Sequence, residues 1–295
     1  MFRPIKIRHY LSLMHERGFS PARVLDGSRL TVQELEHPSC LISLDQARSV
    51  ISNMIRLTGN QAIGLEMGYH TEISDLGLLG HAMLSSRTMR EAAQFWERYN
   101  DVLVGLLIRT AFTERSPTDW QFSLTETAPL GFLYNFCVEE SMVMIARLGG
   151  VLSGQKVKVE RLDLSYPAPA HYREYARYFN GPINFNARST EIHCSHPSLD
   201  LALRSNDREF NELCARQCAL IMRQIGAQSP YVSRVRAEFL RNPGIIPGLE
   251  EIAGKLGMSS RTLRRHLQDE GISFLQLVTD FRRDEAYVGF QTGLG

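Results

Sequence analysis

The sequence predicts an α+β N-terminal domain over residues 1–225, a linker over 226–230 and an all-α segment over 231–295. Three observations lead to this fold class. Helix start signals recur through the first hundred residues. Runs rich in β-branched and aromatic residues follow between about 100 and 200. Beyond residue 230 only helical spacings remain.

The composition is that of a folded protein with a sizeable core. Hydrophobic residues make up 43% of the 295 residues, charged residues make up 22%, and the formal net charge is +1. These values exclude a disordered chain, a collagen-like repeat and a disulfide-stapled miniprotein. A basic field over the whole protein is also excluded, so any contact with nucleic acid has to depend on local positive charge.

The cysteines and the apolar runs indicate a cytoplasmic protein. Five cysteines are an odd number scattered along a long chain, which is typical of reduced thiols. The amino terminus interrupts its apolar residues with charges, unlike a signal peptide. The longest apolar run, about Val102 to Ile108, is shorter than the roughly 20 residues of a membrane helix.

Capping boxes begin several helices of the N-terminal domain. In each, a hydroxyl stands at the N-cap and a carboxylate or amide follows three residues later. The pairs are Thr31 with Glu34, Ser43 with Gln46, and Thr88 with Glu91. The second pair precedes an apolar stripe from Ala47 to Ile55, which is expected to bury one helix face. The glycine-punctuated stretch 64–84 predicts short helices and tight turns.

Strands are predicted in the second half of this domain, within VLVGLLIRTAF (102–112), DWQFSLTET (119–127), VKVERLDLSY (157–166) and STEIHCS (189–195). Helix is predicted from about Pro129 to Leu148, and a short helix at about 172–179. A long helix, capped by Asn206 with Glu209 and ending near Ile225, closes the domain.

Two short helices joined by a tight turn follow the linker, which is the pattern of a helix-turn-helix. The turn contains Gly257, and Ser259 is placed to cap the second helix. Apolar residues at helical spacing form the predicted core of the pair, namely Ile252, Ala253, Leu256, Leu263 and Leu267. Beyond it, Ser273 with Gln276 predicts a further helix whose buried stripe includes Leu277 and Phe281.

Arg261, Arg264 and Arg265 share the face of the second helix opposite Leu263 and Leu267. Arginine reads the O6 and N7 atoms of guanine in a bidentate manner, or clamps a phosphate. Together with Ser260, at the start of the same helix, these three arginines are the predicted contacts with double-stranded DNA. The alternative interpretation is a solvated arginine face on an ordinary core helix.

The stretch LEEIAGKLGMSSRTLRRHLQDEGISFLQLVTDFRRDEA (249–286) resembles the first helix-turn-helix and the start of the linking helix of AraC/XylS-type transcriptional regulators. Residues 64–99 resemble the arabinose-binding-type N-terminal domain of some of these regulators, including ornithine-utilisation regulators. The resemblance implies a promoter-binding regulator, with activation favoured and RNA polymerase as a partner. It also implies an N-terminal domain for small-molecule sensing, for homodimer formation, or for both.

One departure from the family pattern concerns the DNA-binding domain. AraC-type domains carry two helix-turn-helix units joined by a long helix, and the printed chain contains the first unit and the start of the linking helix. The expectation is an incomplete domain, from either a truncated chain or a natural short form, whose affinity a dimer would raise. The alternative function is a ligand-binding or protein-interaction form that has lost effective DNA binding through C-terminal truncation.

Trp120, Tyr134 and Glu139 are the candidate effector-binding residues. They belong to an aromatic-rich region that also contains Phe132, Phe136 and Glu140. Its carboxylates would attract a cationic metabolite, although such residues are more often plain core and a solvated helix end.

Neither an enzyme, nor a cofactor, nor a metal site is predicted, because no catalytic motif stands in a suitable context. GGVLSGQK (149–156) approaches a phosphate-binding loop but has Gln155 in the lysine position. A zinc site is conceivable only if folding brings His193, Cys194 and His196 together, or Cys214 with Cys218 and further ligands.

Overall fold

A computed structural model describes residues 2–281 except 38–39, 105–106, 117–118, 127–128, 155–156, 196–198, 201, 229, 242–245, 271 and 280. The chain divides into two compact units, residues 2–220 and residues 221–295, with the boundary inside a long helix. The larger unit is a mixed helix and sheet domain, as predicted for the N-terminal region.

Helices come first in the larger unit. They are α1 (Ile5–Glu16), α2 (Pro21–Val24), α3 (Val32–Glu36), α4 (Leu44–Thr58), α5 (Ile63–His70), α6 (Leu78–Leu84) and α7 (Met89–Tyr99). The capping boxes at Thr31 and Ser43 are confirmed, since side chain and backbone bond reciprocally in both. The one at Thr88 is half formed, because the carboxylate of Glu91 accepts from the backbone N–H of Arg87 instead.

A five-stranded sheet follows, with strand order β1-β2-β5-β3-β4. The strands are β1 (Ile108–Ser116), β2 (Asp119–Glu126), β3 (Lys158–Asp163), β4 (Ile183–Asn184) and β5 (Thr190–Ser195). Neighbours are antiparallel except β3 and β4. The predicted strand start near Val102 is wrong: a π-helical turn at Asn100–Val104 extends α7, and the Asn100 amide bonds the Trp96 carbonyl and the Thr110 hydroxyl.

Helix α8 (Tyr134–Ser153) is buried over much of its surface, and it contacts α5, α7 and β1. The contact with α5 is close enough to require glycine. A β-carbon at Gly64 would lie 2.6 Å from the Phe136 carbonyl oxygen, and one at Gly68 would lie 2.4 Å from that of Glu140. From the sequence, these two glycines were expected to mark turns. They lie instead inside a helix–helix contact.

Helix α9 (Arg208–Gln228) corrects two predictions. Its first turn is capped by Asp207, whose Oδ1 accepts from the Phe210 N–H at 3.0 Å, and not by Asn206. The Asn206 amide bonds the Leu203 carbonyl instead. Residues 226–228, expected in a linker, are helical, so α9 runs past the predicted end near Ile225.

The smaller unit is helical in the part that the structure describes. It contains α10 (Pro230–Arg241), α11 (Leu249–Lys255), α12 (Ser260–Asp269) and a helical stretch at 274–279. Its core contains Val235, Phe239, Leu249, Ile252, Ala253, Leu263, Leu267, Leu277 and Phe281. Ser273 accepts from the Gln276 N–H, as the predicted cap requires.

Among the described residues, no helix has both the length and the apolar character needed to span a bilayer.

Candidate functional site

The surface built from α11 and α12 contains the predicted DNA contacts. Helix α11 ends at a turn in which Gly257 adopts φ +74°, a left-handed conformation suited to glycine. The Met258 N–H donates to the Ala253 carbonyl at 3.0 Å, which closes the turn. Helix α12 begins at once, because the Ser259 hydroxyl accepts from the Thr262 N–H at 3.1 Å. The predicted turn and cap are therefore both present.

The two faces of α12 differ sharply in burial. Leu263 and Leu267 are fully buried, whereas Arg261, Arg264 and Arg265 are exposed. Ser260 is half-buried at the first helical position. No ion pair joins these three arginines to any carboxylate that the structure describes. Within the described residues, the helix thus presents three guanidinium groups without an ion-pair partner on one side and its apolar residues on the other.

The predicted core of this pair of helices forms around Ala253. Ile252 and Ala253 are buried together with the two leucines of α12, and Leu256 is half-buried against the same cluster. Ala253 is small enough to allow the close packing of α11 on α12.

Helix α10 is bonded to the far end of α12. The carboxylate of Glu270 accepts from the backbone N–H groups of Tyr231 and Val232, at 3.0 and 2.9 Å, in the first turn of α10. An anion in that position satisfies free N–H groups and complements the helix dipole. The rings of Tyr231 and His266 stack at 4.0 Å with 2° between their planes. Sequence reasoning missed these contacts because the partners are distant in the chain.

The candidate effector residues lie in different surroundings within the larger unit. Tyr134 donates or accepts at the hydroxyls of Ser165 and Thr190, at 3.1 and 3.0 Å. Glu139 is fully buried, with Oε1 2.7 Å from the Tyr175 hydroxyl and 2.6 Å from His171 Nε2. Burial, followed by neighbouring groups that include Glu139, raises the pKa of Tyr175 well above its usual range, so its hydroxyl remains a donor.

Glu140 also lies inside the domain and has its own partners. Its carboxylate pairs with Lys6 Nζ at 2.7 Å and accepts from the Tyr10 hydroxyl at 2.5 Å. Phe136 is buried, whereas Phe132 is 74% exposed. The aromatic and acidic residues grouped in the sequence are therefore distributed between the core and the surface, and Glu140 is neutralised internally.

Trp120 faces a different part of the domain. Together with Trp96 it lines an apolar cavity of about 40 Å³ between α7, α8 and the first two strands. Both indole Nε1 atoms are buried, and neither has a hydrogen-bond partner within the described residues.

The residues considered for zinc or phosphate binding have other surroundings in the structure. His193 and Cys194 are adjacent on β5 and so project from opposite faces of the sheet, and His196 lies outside the described residues. The carboxylates of Asp163 and Glu191 approach His193, but the guanidinium of Arg161 lies 2.9 Å from Asp163 and 3.0 Å from His193. That cation already occupies the space between them.

Cys214 and Cys218 are buried on α9, where burial raises the pKa of the Cys218 thiol to about 11. A protonated, covered thiol behaves as a small apolar residue. Within GGVLSGQK, residues 149–153 end helix α8 and Gly154 adopts φ +65°, while residues 155 and 156 lie outside the described residues. A phosphate-binding loop leads into a helix N-terminus, whereas this segment leaves a helix C-terminus.

The chain is similar to known transcription regulators in both sequence and fold. Residues 18–203 match the family described as the arabinose-binding domain of AraC transcription regulators, N-terminal. The ornithine utilization regulator of Pseudomonas aeruginosa is 30% identical over 275 residues, covering 92% of this chain and 80% of that protein. An uncharacterized HTH-type transcriptional regulator of Mycobacterium tuberculosis is 27% identical over 311 residues, covering 95% and 84%.

The crystal structure of the transcriptional regulator CdpR from Pseudomonas aeruginosa has a similar fold. It superposes with a TM-score of 0.54 at 20% identity, covering 96% of this chain and 84% of CdpR.

Proposed function

Because this chain belongs to the family of AraC transcription regulators that carry an arabinose-binding-type N-terminal domain, we propose that it binds DNA through a helix-turn-helix formed by α11 and α12. The chain is a transcriptional regulator by membership of this family. Which residues contact DNA, which effector is sensed and how the protein assembles are our proposals. They include no catalytic step, cofactor or metal.

The observation that carries the DNA-binding proposal is the contrast between the two faces of α12. Its buried leucines fix the helix on the core, so the three exposed arginines project together from the other side. In a helix-turn-helix the second helix enters the major groove with its N-terminal half. Arg261 and Arg264 lie in that half and would contribute sequence preference through base edges.

Arg265 and Ser260 have positioning roles in this proposal. Arg265, next to the base-reading side chains, would bind a phosphate and so fix the register of the helix on the duplex. Ser260 stands at the first position of α12, where a hydroxyl can donate to a phosphate oxygen. The carboxylate of Glu270 and the ring of His266 hold the other end of α12 against α10.

The larger unit would provide the regulatory input. We propose that it senses a small molecule and forms a homodimer. The second protomer would supply another helix-turn-helix and so raise the affinity for DNA. Exposed apolar side chains on α9 support the dimer, since Phe210, Leu213 and Leu220 are 43–46% exposed. Activation through contact with RNA polymerase is the mode that the family resemblance favours.

The test is DNA binding by the full chain and by the double variant Arg261→Ala with Arg264→Ala. Duplexes are selected with the wild-type protein from a pool with a randomised core, and binding is measured by fluorescence anisotropy at several salt concentrations. We expect the double variant to bind the selected duplex at least about 30-fold more weakly, because each base-reading arginine contributes roughly 1–3 kcal/mol. Arg265→Ala should weaken binding to all sequences alike and flatten the salt dependence.

The matched control is Arg177→Ala. It removes the same charge from an exposed residue of the larger unit, where Arg177 pairs with Glu174 at 2.8 Å. Far-UV circular dichroism checks that every variant keeps its helices. The proposal is wrong if the wild-type protein binds the selected duplex no more tightly than random DNA, or if the double variant and the control bind it equally well.

A further inference from the structure

A cleft of the larger unit lies between α8, β3 and the segment 177–182. Its volume is about 830 Å³, within the roughly 300–1,000 Å³ of small-molecule sites. Buried apolar side chains form part of its lining, namely Val143, Val157, Val159 and Phe179. Tyr69 of α5 and Tyr178 add two aromatic rings. The cleft is therefore large enough for a small organic molecule, and it has an apolar surface against which such a molecule can pack.

The segment 175–182, which forms one wall of the cleft, is held at both ends. At its start, the Tyr175 hydroxyl donates to Glu139 on α8 at 2.7 Å. At its end, Gly181 lies so close to β3 that an added β-carbon would be 2.5 Å from the Val159 carbonyl oxygen. A wall that is fixed before a ligand arrives does not have to be ordered by the ligand, which favours binding.

Arg147 is the least exposed of the cationic groups that line the cleft. Its side chain is 26% exposed, and its guanidinium carbon lies 5.5 Å from the centre of the Tyr69 ring. Lys158 and Arg177 also line the cleft, but their side chains are 73% and 71% exposed, so water screens their charges. Glu160, the acidic residue of the lining, pairs with Lys158 at 2.8 Å. Arg147 is therefore the charge that a bound ligand would meet with the least screening.

Arg147 and Tyr178 both retain hydrogen-bond donors for a ligand. A guanidinium has five N–H groups. Within the described residues, those of Arg147 bond the Thr71 carbonyl and the Glu72 carboxylate, which leaves further donors on the same group. The Tyr178 hydroxyl has no hydrogen-bond partner in the described part of the chain, and burial raises its pKa, so it stays protonated. The ring of Tyr69 contacts both, since it lies 5.6 Å from the ring of Tyr178.

We propose that this cleft binds the effector, and that the effector is a small organic anion with a carboxylate on an apolar body. The carboxylate would accept from Arg147 and Tyr178, and the body would pack against Phe179 and the buried valines. The proposal rests on the sensory role proposed above for the larger unit. The charge of this ligand is opposite to that of the cationic metabolite which Glu139 and Glu140 suggest in the sequence.

The test compares two probes of nearly the same shape, 2-naphthoate and the uncharged 2-naphthamide. Each is titrated with the full chain, and binding is measured by ligand-detected NMR. Molecules of this size are expected to bind in the millimolar range. The naphthoate should bind at least about fivefold more tightly than the naphthamide, because a charge-assisted hydrogen bond is roughly twice as strong as a neutral one.

Arg147→Met keeps an unbranched side chain and removes the charge. We expect it to bind the naphthoate at least about fivefold more weakly, with binding of the naphthamide changed by less than about twofold. The matched control is Arg23→Met, because the Arg23 guanidinium also lies 5.5 Å from an aromatic ring, that of Phe19, and does not line the cleft. This control should bind both probes as the wild-type protein does.

Two further variants keep the proposal testable if Arg147→Met does not fold. Tyr178→Phe removes only a hydroxyl and should weaken binding of the naphthoate about threefold. Ala146→Leu enlarges a half-buried side chain that lines the cleft, so it should weaken binding of both probes. The thermal unfolding midpoint of each variant shows that it is folded.

Three results would overturn the proposal. Equal affinity of the wild-type protein for the two probes would show that no cationic group takes part in binding. Tighter binding of 2-naphthylmethylammonium than of the naphthoate would show that the ligand is a cation. Unchanged binding of both probes to Ala146→Leu would place them outside the cleft. None of these measurements uses DNA, so failure here leaves the DNA-binding proposal standing, and loss of DNA binding leaves this one standing.

Discussion

The carboxylate of Glu140 is buried in the larger unit, where it pairs with Lys6 and accepts from the Tyr10 hydroxyl. Both partners are far from Glu140 in the chain, and the sequence had suggested a cationic ligand instead. Lys6 is 2% exposed and also donates to the Thr71 hydroxyl at 2.8 Å. A buried carboxylate needs such partners, because an unpaired buried charge is strongly unfavourable. Which lysine provides the partner depends on tertiary packing, which no local pattern contains.

His9, which is influenced by the charge of Lys6, makes the stability of the larger unit depend on pH. Burial, followed by the charge of Lys6, lowers the pKa of His9 from about 6.5 to about 3, although Asp75 Oδ2 lies 3.2 Å from Nδ1. Below pH 6.5 the unfolded chain therefore binds a proton that the folded protein does not. The contribution of His9 to stability is complete above pH 6.5 and is lost as the pH falls from there toward 3.

We expect the free energy of unfolding to fall by about 1 kcal/mol from this residue between pH 7.5 and 5.5. Urea denaturation at the two pH values measures it, with His9→Gln as the comparison, since glutamine keeps a polar side chain without titrating. Equal pH dependence of the variant and the wild-type protein would show that His9 is not responsible.

At the scale of helices and strands, sequence patterns predicted the structure correctly where the interacting residues are close together in the chain. The hydroxyl caps at Thr31, Ser43 and Ser259 were foreseen because each bonds a residue three positions away. The exposure of the α12 arginines was foreseen for the same reason, since helical periodicity is local. Trp120 was foreseen as a candidate but not with Trp96, because their meeting depends on how α7 packs against the sheet.

The contact between α5 and α8 gives a prediction at this scale. Gly68→Ala should destabilise the larger unit by about 1–3 kcal/mol, because the added methyl group meets the backbone of α8, which cannot rotate away as a side chain could. Chemical denaturation followed by tryptophan fluorescence measures the change, since both tryptophans belong to this unit.

Gly254→Ala is the matched control. It makes the same substitution within helix α11, where an added β-carbon meets nothing within 4 Å. Alanine there should increase helix stability by roughly 0.5–1 kcal/mol, measured as a rise in the midpoint followed by circular dichroism. If both variants behave alike, steric contact with α8 does not explain the glycine at position 68.

For the whole molecule, net charge was a poor guide to function. A formal charge of +1 argues against a nucleic-acid partner, yet the DNA-binding proposal depends only on the local charge of three exposed arginines on one helix face. The α+β character of the N-terminal region followed correctly from the order of helix and strand signals. The sheet order β1-β2-β5-β3-β4 could not be derived, because strand pairing between distant segments leaves no local trace.

The proposed homodimer is a prediction about the whole molecule. Leu213→Glu places a charge among the exposed apolar side chains of α9, so we expect it to shift the protein toward monomer in sedimentation equilibrium and to weaken DNA binding at low protein concentration. The control is Val151→Glu, at an apolar residue of α8 with similar exposure, 47% against 46%. A monomeric wild-type protein, or equal association of the two variants, would contradict α9 as the dimer surface.

The covered thiols have a consequence for oxidative chemistry. Four of the five cysteines are buried, and burial raises the pKa of all five, so little thiolate is available to peroxide or to an alkylating reagent. Cys40 is the partly accessible one. Modification of Cys194, which is fully buried on β5, requires the larger unit to open locally or to unfold. The rate at which Cys194 is labelled therefore measures how often the larger unit opens, and the measurement needs no engineered cysteine.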